Sequence, residues 1–249
     1  MNKYYSAGTL LGLEGKAIIA AIGCGGKTTL ITSLAKEYRN KKVLVTPTTK
    51  IFPMSGEDIT LLTIAQKCLS HVPVKGIQCL GVLNETTGKL EALGKDQLEV
   101  IIPQYDLVLL EADGSSGLPC KGWLANEPVI PPYCTHTLGV VTLNALGKAA
   151  DSDTVLRLPE FLKLTGLSQG ENITMQALTR MVCADDGMFR TGIGRQNIFV
   201  NLTEESAMED QAVAEEWLSS IREDYPERFS CLAYGSALTN RWRDVCRES

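Results

Sequence analysis

Lys16-Ala17-Ile18-Ile19-Ala20-Ala21-Ile22-Gly23-Cys24-Gly25-Gly26-Lys27-Thr28-Thr29 is the stretch that decides the fold. Lys16–Ile22 is almost wholly apolar with no alternation, as expected of a strand buried on both faces of a parallel sheet. A glycine cluster ends it. From Thr28 to Tyr38 the apolar residues Leu30, Ile31, Leu34 and Ala35 take helical spacing, and Lys36, Arg39, Lys41 and Lys42 gather at the C-terminal end. Val43–Thr46 reads as a second strand, so strand, helix and strand fall within about 30 residues, the length of a βαβ unit.

A glycine-rich turn between a buried strand and a helix is suited to phosphate. Without Cβ atoms the backbone approaches closely, its N–H groups converge, and the helix N-terminus adds partial positive charge. Gly23, Cys24, Gly25, Gly26, Lys27, Thr28 and Thr29 are therefore candidate nucleotide-binding residues, with Lys27 placed to reach the outer phosphates and Thr28 to hold Mg²⁺. The pattern is close to the Walker A form GxxxxGK[ST], with Ala21 at the first glycine, a substitution compatible with an ordinary strand backbone.

Farther on, Asp106–Leu110 reads as a buried strand running into Glu111-Ala112-Asp113-Gly114. An acid at such a strand end is how phosphate-loop proteins hold the metal or orient the attacking group. Glu111 and Asp113 are the catalytic candidates with Lys27, Asp113 joins Thr28 as a metal ligand, and Gly114 is placed to sense a γ-phosphate. The polar loop Thr46-Pro47-Thr48-Thr49-Lys50 falls at the same sheet edge. Asn201 closes the strand Asn197–Asn201 at the kind of position where nucleotide hydrolases read a base, and a simple helix-cap role is an equal alternative; Leu202, Thr203 and Glu204 do not complete a guanine signature, so ATP and GTP both stay open. The two histidines, His71 and His136, assemble no metal centre or triad. Cys24 at a helix N-terminus has two readings, a thiol with a lowered pKa and, in preference, a small side chain that simply fits the turn.

The rest of the chain alternates in the same manner. Helices are expected over Ile59–Leu69, Gln97–Ile102, Val155–Thr165, Thr174–Cys183 and Glu204–Arg222. Strands are expected over Ile77–Leu83, Thr137–Leu143 and Phe229–Ala233, with a turn at Glu85–Gly88. Ser115–Pro132 reads as a long surface connection, part of a functional loop at about 114–135. Together these imply a single three-layer α/β domain over 1–249, a mostly parallel P-loop NTPase-like sheet with helices on both faces. No repeat or linker divides it.

The 249 residues, 44% hydrophobic and 21% charged, fit a globular chain. A net charge of −5 gives no basic face for nucleic acid. No window approaches the ~18 apolar residues of a membrane span, and Met1–Leu13 has no signal-peptide character. The eight cysteines include no CxxC pair and read as reduced thiols, so the expected location is the cytoplasm.

The motifs as a set resemble the YqeC family, accessory proteins of selenium-dependent molybdenum hydroxylases. The resemblance is carried by Gly23–Thr29, Thr46–Lys50, Glu111-Ala112-Asp113-Gly114-Ser115-Ser116-Gly117-Leu118-Pro119-Cys120-Lys121 and Asn126-Glu127-Pro128-Val129-Ile130-Pro131. Asn144-Ala145-Leu146-Gly147-Lys148, Arg157-Leu158-Pro159-Glu160 and Phe199-Val200-Asn201 add to it. Cys120, and Arg190-Thr191-Gly192 without a nearby proline, depart from the pattern. The resemblance implies a P-loop fold and a role in maturing molybdenum hydroxylases, with the enzyme or its cofactor-loading machinery as partner. Three activities stay open: a slow Mg²⁺-dependent NTPase, a phosphotransferase or ligase using a small substrate held by the Ser115–Pro131 loop, and a nucleotide-sensing scaffold presenting Trp123 to a partner.

Overall fold

The computed structural model describes residues 3–53, 56, 59–63, 72–202 and 208–246. In chain order its elements are α1 (Ala7–Leu11), β1 (Ala17–Gly23), α2 (Lys27–Glu37), β2 (Lys42–Pro47), β3 (Lys50–Ile51), β4 (Ile59–Thr63), β5 (Gly76–Asn84), β6 (Lys89–Glu91) and α3 (Lys95–Ile101). There follow β7 (Leu107–Glu111), β8 (Cys120–Lys121), β9 (His136–Val141), β10 (Val155–Leu156), α4 (Leu158–Thr165), α5 (Met175–Cys183), β11 (Arg195–Asn201), α6 (Met208–Asp224), β12 (Cys231–Ser236) and β13 (Arg241–Asp244).

One sheet runs in the order β13-β12-β11-β9-β1-β7-β2-β5-β6-β3, with β4 also on β5. From β12 to β5 every neighbouring pair is parallel, and antiparallel pairing is confined to β13, β6 and β3. β1 is the middle of this arrangement, and all seven of its residues are buried, which is why its sequence shows no alternation. Ile18, Ala20 and Ile22 pack with residues of α3, α4, α5 and α6, among them Leu98, Phe161, Met181 and Trp217. Ala17, Ile19 and Ala21 pack on the opposite face with Leu10 and Leu11 of α1 and Leu30, Ile31 and Leu34 of α2. The result is the expected mostly parallel α/β sheet between two helix layers.

Strand order positions the site. β7 inserts between β1 and β2, so Ala21 pairs with Glu111 and Glu111 with Pro47. Strand side chains alternate in direction, so Glu111 shares the face of Leu107 and Leu109, the face on which α2 lies. Ala21 sits in regular strand pairing, consistent with its lack of a glycine requirement.

Three expectations need correction, and a fourth lies partly outside the described residues. Ile59–Thr63, read as the start of a helix, is an edge strand paired in parallel with β5, and the rest of that reading, residues 64–69 with His71, lies outside the described residues. Val155–Leu156 is a strand paired with Cys120–Lys121, and the helix begins only at Leu158, with Pro159 in its first turn. The last helix is described from Met208; residues 203–207 lie outside the described set. Ser115–Pro132 is not simply a surface connection, because Cys120, Lys121 and Trp123 are buried within it.

His136 in β9 is buried between β1 and β11, and its Nδ1 lies 2.8 Å from Thr135 Oγ1. Burial pulls its pKa below 6.5, and Arg195 pulls the same way against a backbone contact at Leu11. The folded chain thus holds His136 neutral where the unfolded chain takes up a proton, so stability is retained above the unfolded value and lost as pH falls below it. Urea unfolding between pH 7.5 and 5.5 should show this loss in the wild type and a shallower one in His136→Asn; equal slopes would contradict it.

Candidate functional site

Three glycines make the turn after β1. Gly23, Gly25 and Gly26 all have positive φ, at 96°, 83° and 122°. A Cβ on Gly23 would collide with the Val140 carbonyl and one on Gly26 with the Asn201 amide, so backbone and side chains already occupy that space. α2 then begins at Lys27 with Gly26 as an N-cap that gives no side-chain hydrogen bond. The first N–H groups of an α-helix have no intrahelical partner, and Gly26 offers them no side-chain acceptor.

A cavity of about 610 Å³ opens over this turn. Gly25, Gly26, Lys27, Thr28, Thr29, Glu111 and Gly114 line it, so most of the candidate residues converge on one space. Ser115, Ser116 and Gly117 form one wall, and Lys50, Ile51, Phe52 and Lys89 extend it toward β3 and β6. Within the Thr46–Lys50 loop, Thr48 ties the sheet edge to the chain beyond β7 by donating from Oγ1 to the Val129 carbonyl at 2.8 Å.

The two acids separate into different environments. The residue pattern pairs Thr28 with Asp113 as metal ligands and leaves Glu111 to orient the attacking group; in the structure Thr28 Oγ1 donates to Glu111 Oε2 at 3.0 Å. Burial raises the Glu111 carboxyl above its ordinary range, with Lys27 and the Thr28 hydrogen bond acting against it and Asp113 adding to it. Asp113 has no solvent exposure. It accepts from the Gly23 N–H at 3.1 Å and from Trp123 Nε1 at 2.9 Å, and faces Lys27 Nζ at 3.3 Å and Lys121 Nζ at 3.4 Å. It anchors the turn from beneath.

Lys27 is folded back into its own loop. Its Nζ donates to the Gly23 carbonyl at 2.6 Å and lies 3.5 Å from Ser115 Oγ. Burial opposes its charge, but Asp113 foremost, with Cys24 and Glu111, outweighs this and raises its pKa, so the ammonium is retained. Asn201 lies behind the loop, donating from Nδ2 to the Gly25 carbonyl and accepting from the Ala237 N–H, both at 2.8 Å. It fastens the glycine turn to the ends of β11 and β12.

For Cys24 the structure keeps the reading of a small side chain that fits the turn, and the surface reading of Trp123 is overturned. Cys24 is buried, its N–H bonded to the Val140 carbonyl, and burial pushes its thiol up to about 12, with Asp113 adding to this and Lys27 and Lys121 opposing it. It has no activated thiolate. Trp123 is 4% exposed with its N–H on Asp113, so it offers no surface to a partner. Sequence reasoning gave no role to Lys121, although it stands in the quoted Glu111–Lys121 motif. Its partners come from Gly114, Asp113 and Glu127, and only the folded loop brings these together.

Among the described residues no group of three or more His, Cys, Asp or Glu side chains is placed to hold a metal ion. A hydroxyl and a carboxylate at a helix N-terminus fit Mg²⁺ all the same, because this ion is ordinarily held by one or two carboxylates together with substrate phosphates. No helix among these residues is long and apolar enough to cross a membrane.

Comparison with known proteins gives two matches. The sequence model of a family described as YqeC protein matches residues 19–159. A protein of Escherichia coli (strain K12) named uncharacterized protein YqeC is 27% identical over 179 residues, covering 70% of each chain. No solved structure matches.

Two outcomes follow from the burial of Cys24 and Asp113. Alkylation of the native protein at pH 8, followed by peptide mapping, should leave Cys24 unmodified while the partly exposed Cys246 reacts; early labelling of Cys24 would contradict its environment. Asp113→Ala leaves two buried ammonium groups without their shared counter-ion and should lower unfolding stability by about 3–5 kcal/mol. A loss below about 1 kcal/mol, the scale of an exposed pair, would contradict the anchoring role.

Proposed function

The chain belongs to the YqeC family, and we propose that it is a Mg²⁺-dependent nucleotide-binding protein that acts as a slow NTPase. The observation that carries this reading is the Thr28–Glu111 pair at the uncapped start of α2, beside Lys27 and the glycine turn. Phosphates would rest on the backbone N–H groups of Gly25 to Thr29. Thr28 and Glu111 would hold the metal, which when bound offsets phosphate charge and polarises the bond to the leaving group.

Lys27 neutralises charge on the outer phosphates in this reading, a point-charge role suited to an ammonium. Gly114 and Ser115 line the cavity, with Ser115 Oγ 3.5 Å from Lys27 Nζ, and a γ-phosphate would lie beside them. Asp113 serves as the anchor of the loop and not as a metal ligand, since its oxygens already face four donors. The base, adenine or guanine, is left open by the absence of a guanine signature after Asn201.

A second reading, transfer to a small substrate in place of water, is favoured by the extension of the cavity past the phosphate loop to Lys50, Phe52 and Lys89. Exposed Phe52, with the Lys89 ammonium 4.9 Å from its ring centre, is an unusual wall for a site that takes only water. A phosphorylated product other than inorganic phosphate would select this reading over hydrolysis.

The cytoplasm, and maturation of selenium-dependent molybdenum hydroxylases, are the setting we propose from the family resemblance. Loss of hydroxylase activity on deleting the chain, restored by wild type and not by Lys27→Ala, would support that setting.

Thermal unfolding with ATP or GTP, each with and without Mg²⁺, tests the binding site. Ligand at a hundred times its Kd adds about 2.7 kcal/mol, a shift of roughly 5–10 °C for a chain of this size. The shift should require Mg²⁺ in the wild type, vanish in Lys27→Ala, and shrink in Glu111→Gln. An undiminished shift in Lys27→Ala would overturn the assignment.

A further inference from the structure

We infer that Lys121 is a positioning residue, a resident counter-charge that lets Lys27 leave Asp113 and move to an incoming phosphate. The inference rests on the nucleotide reading above. Its starting point is an asymmetry between two lysines on one buried carboxylate. Lys27 faces Asp113 Oδ1 at 3.3 Å and lines the cavity; Lys121 faces Oδ2 at 3.4 Å and has no solvent exposure.

Lys121 is fixed in place. Its Nζ donates to the Gly114 carbonyl at 2.7 Å and lies 3.7 Å from Glu127 Oε2, while its ammonium stands 5.5 Å from the centre of the Trp123 ring. Glu127 is in turn gripped by Arg157, whose Nε donates to Oε2 at 2.9 Å and whose second nitrogen reaches Oε1. Charges therefore alternate along a chain Lys27, Asp113, Lys121, Glu127, Arg157. Only its first member borders the cavity over the glycine turn.

Two of the three N–H groups of the Lys27 ammonium point to the Gly23 carbonyl and Asp113, so turning toward an outer phosphate draws it away from Asp113. In a buried pair of one lysine and one aspartate, that departure strands a carboxylate at high cost. Here Asp113 retains Lys121 and the N–H groups of Gly23 and Trp123, so the exchange leaves no unpaired charge. The Gly23 N–H stays on Asp113 throughout, which keeps the loop in shape while its lysine changes partner.

The test measures the Kd of Mg²⁺ with whichever of ATP or GTP the wild-type full chain binds, by isothermal titration. Lys121→Gln keeps a donor for the Gly114 carbonyl but removes the charge, so Lys27 becomes the sole cation on Asp113. Nucleotide affinity should fall at least tenfold. In Asp113→Asn/Lys121→Gln the carboxylate charge is gone, Lys27 is released, and affinity should return to within about threefold of wild type. A purely structural Lys121 would leave the double variant as weak as Lys121→Gln or weaker, and that result, or an unchanged Kd in Lys121→Gln, would overturn the inference. If Lys121→Gln does not fold, Asp113→Asn is compared with the double variant: equal affinities support the exchange, and a tenfold difference overturns it. Absence of binding to the wild type would count against the nucleotide reading itself, a separate failure.

Discussion

Asp113 is a carboxylate with no solvent exposure, and the candidate site is arranged around satisfying it. A buried charge is tolerated when its partners are close and its lone pairs are filled. Here the Gly23 N–H fixes the start of the glycine turn, the Trp123 N–H draws the 114–135 segment inward, and two lysines approach from opposite sides. The same group thus determines where the glycine turn sits and why the loop after β7 is buried. Glu111, two residues earlier, emerges on the α2 face because strand side chains alternate, and meets Thr28 there. One strand end delivers an anchoring acid and an acid facing the cavity.

The sheet supports this by adjacency. β7 lies directly beside β1, so the glycine turn and the acids leave the sheet from neighbouring strands. On the far side of β1, Val140 of β9 crowds Gly23, and Asn201 of β11 crowds Gly26 and holds the Gly25 carbonyl. The loop is braced from both directions, which is why its glycines cannot be replaced without displacing backbone or side chain.

Much of this was legible in the residues themselves. β1, α2 and β7 announce themselves because burial on both faces produces unbroken apolar runs and because only glycine serves the turn. What stayed hidden depends on distant partners. Val155–Leu156 is a strand only because Cys120–Lys121 lies beside it, and Ile59–Thr63 has too few residues for its period to separate an edge strand from a helix. The burial of Lys121 and Trp123 follows from their reach to Asp113, so a segment rich in glycine, proline and polar residues resembled a surface loop. The partner of Thr28 was missed because both acids follow the same strand, and only the pleat tells which one faces α2.

Whether the braced turn takes a nucleotide is the central question, and stoichiometry answers it most directly. Equilibrium dialysis of the wild-type chain against labelled ATP and GTP should give one bound nucleotide per chain for at least one of them, with Mg²⁺ required. No saturable binding of either, with Mg²⁺ present, would contradict the account.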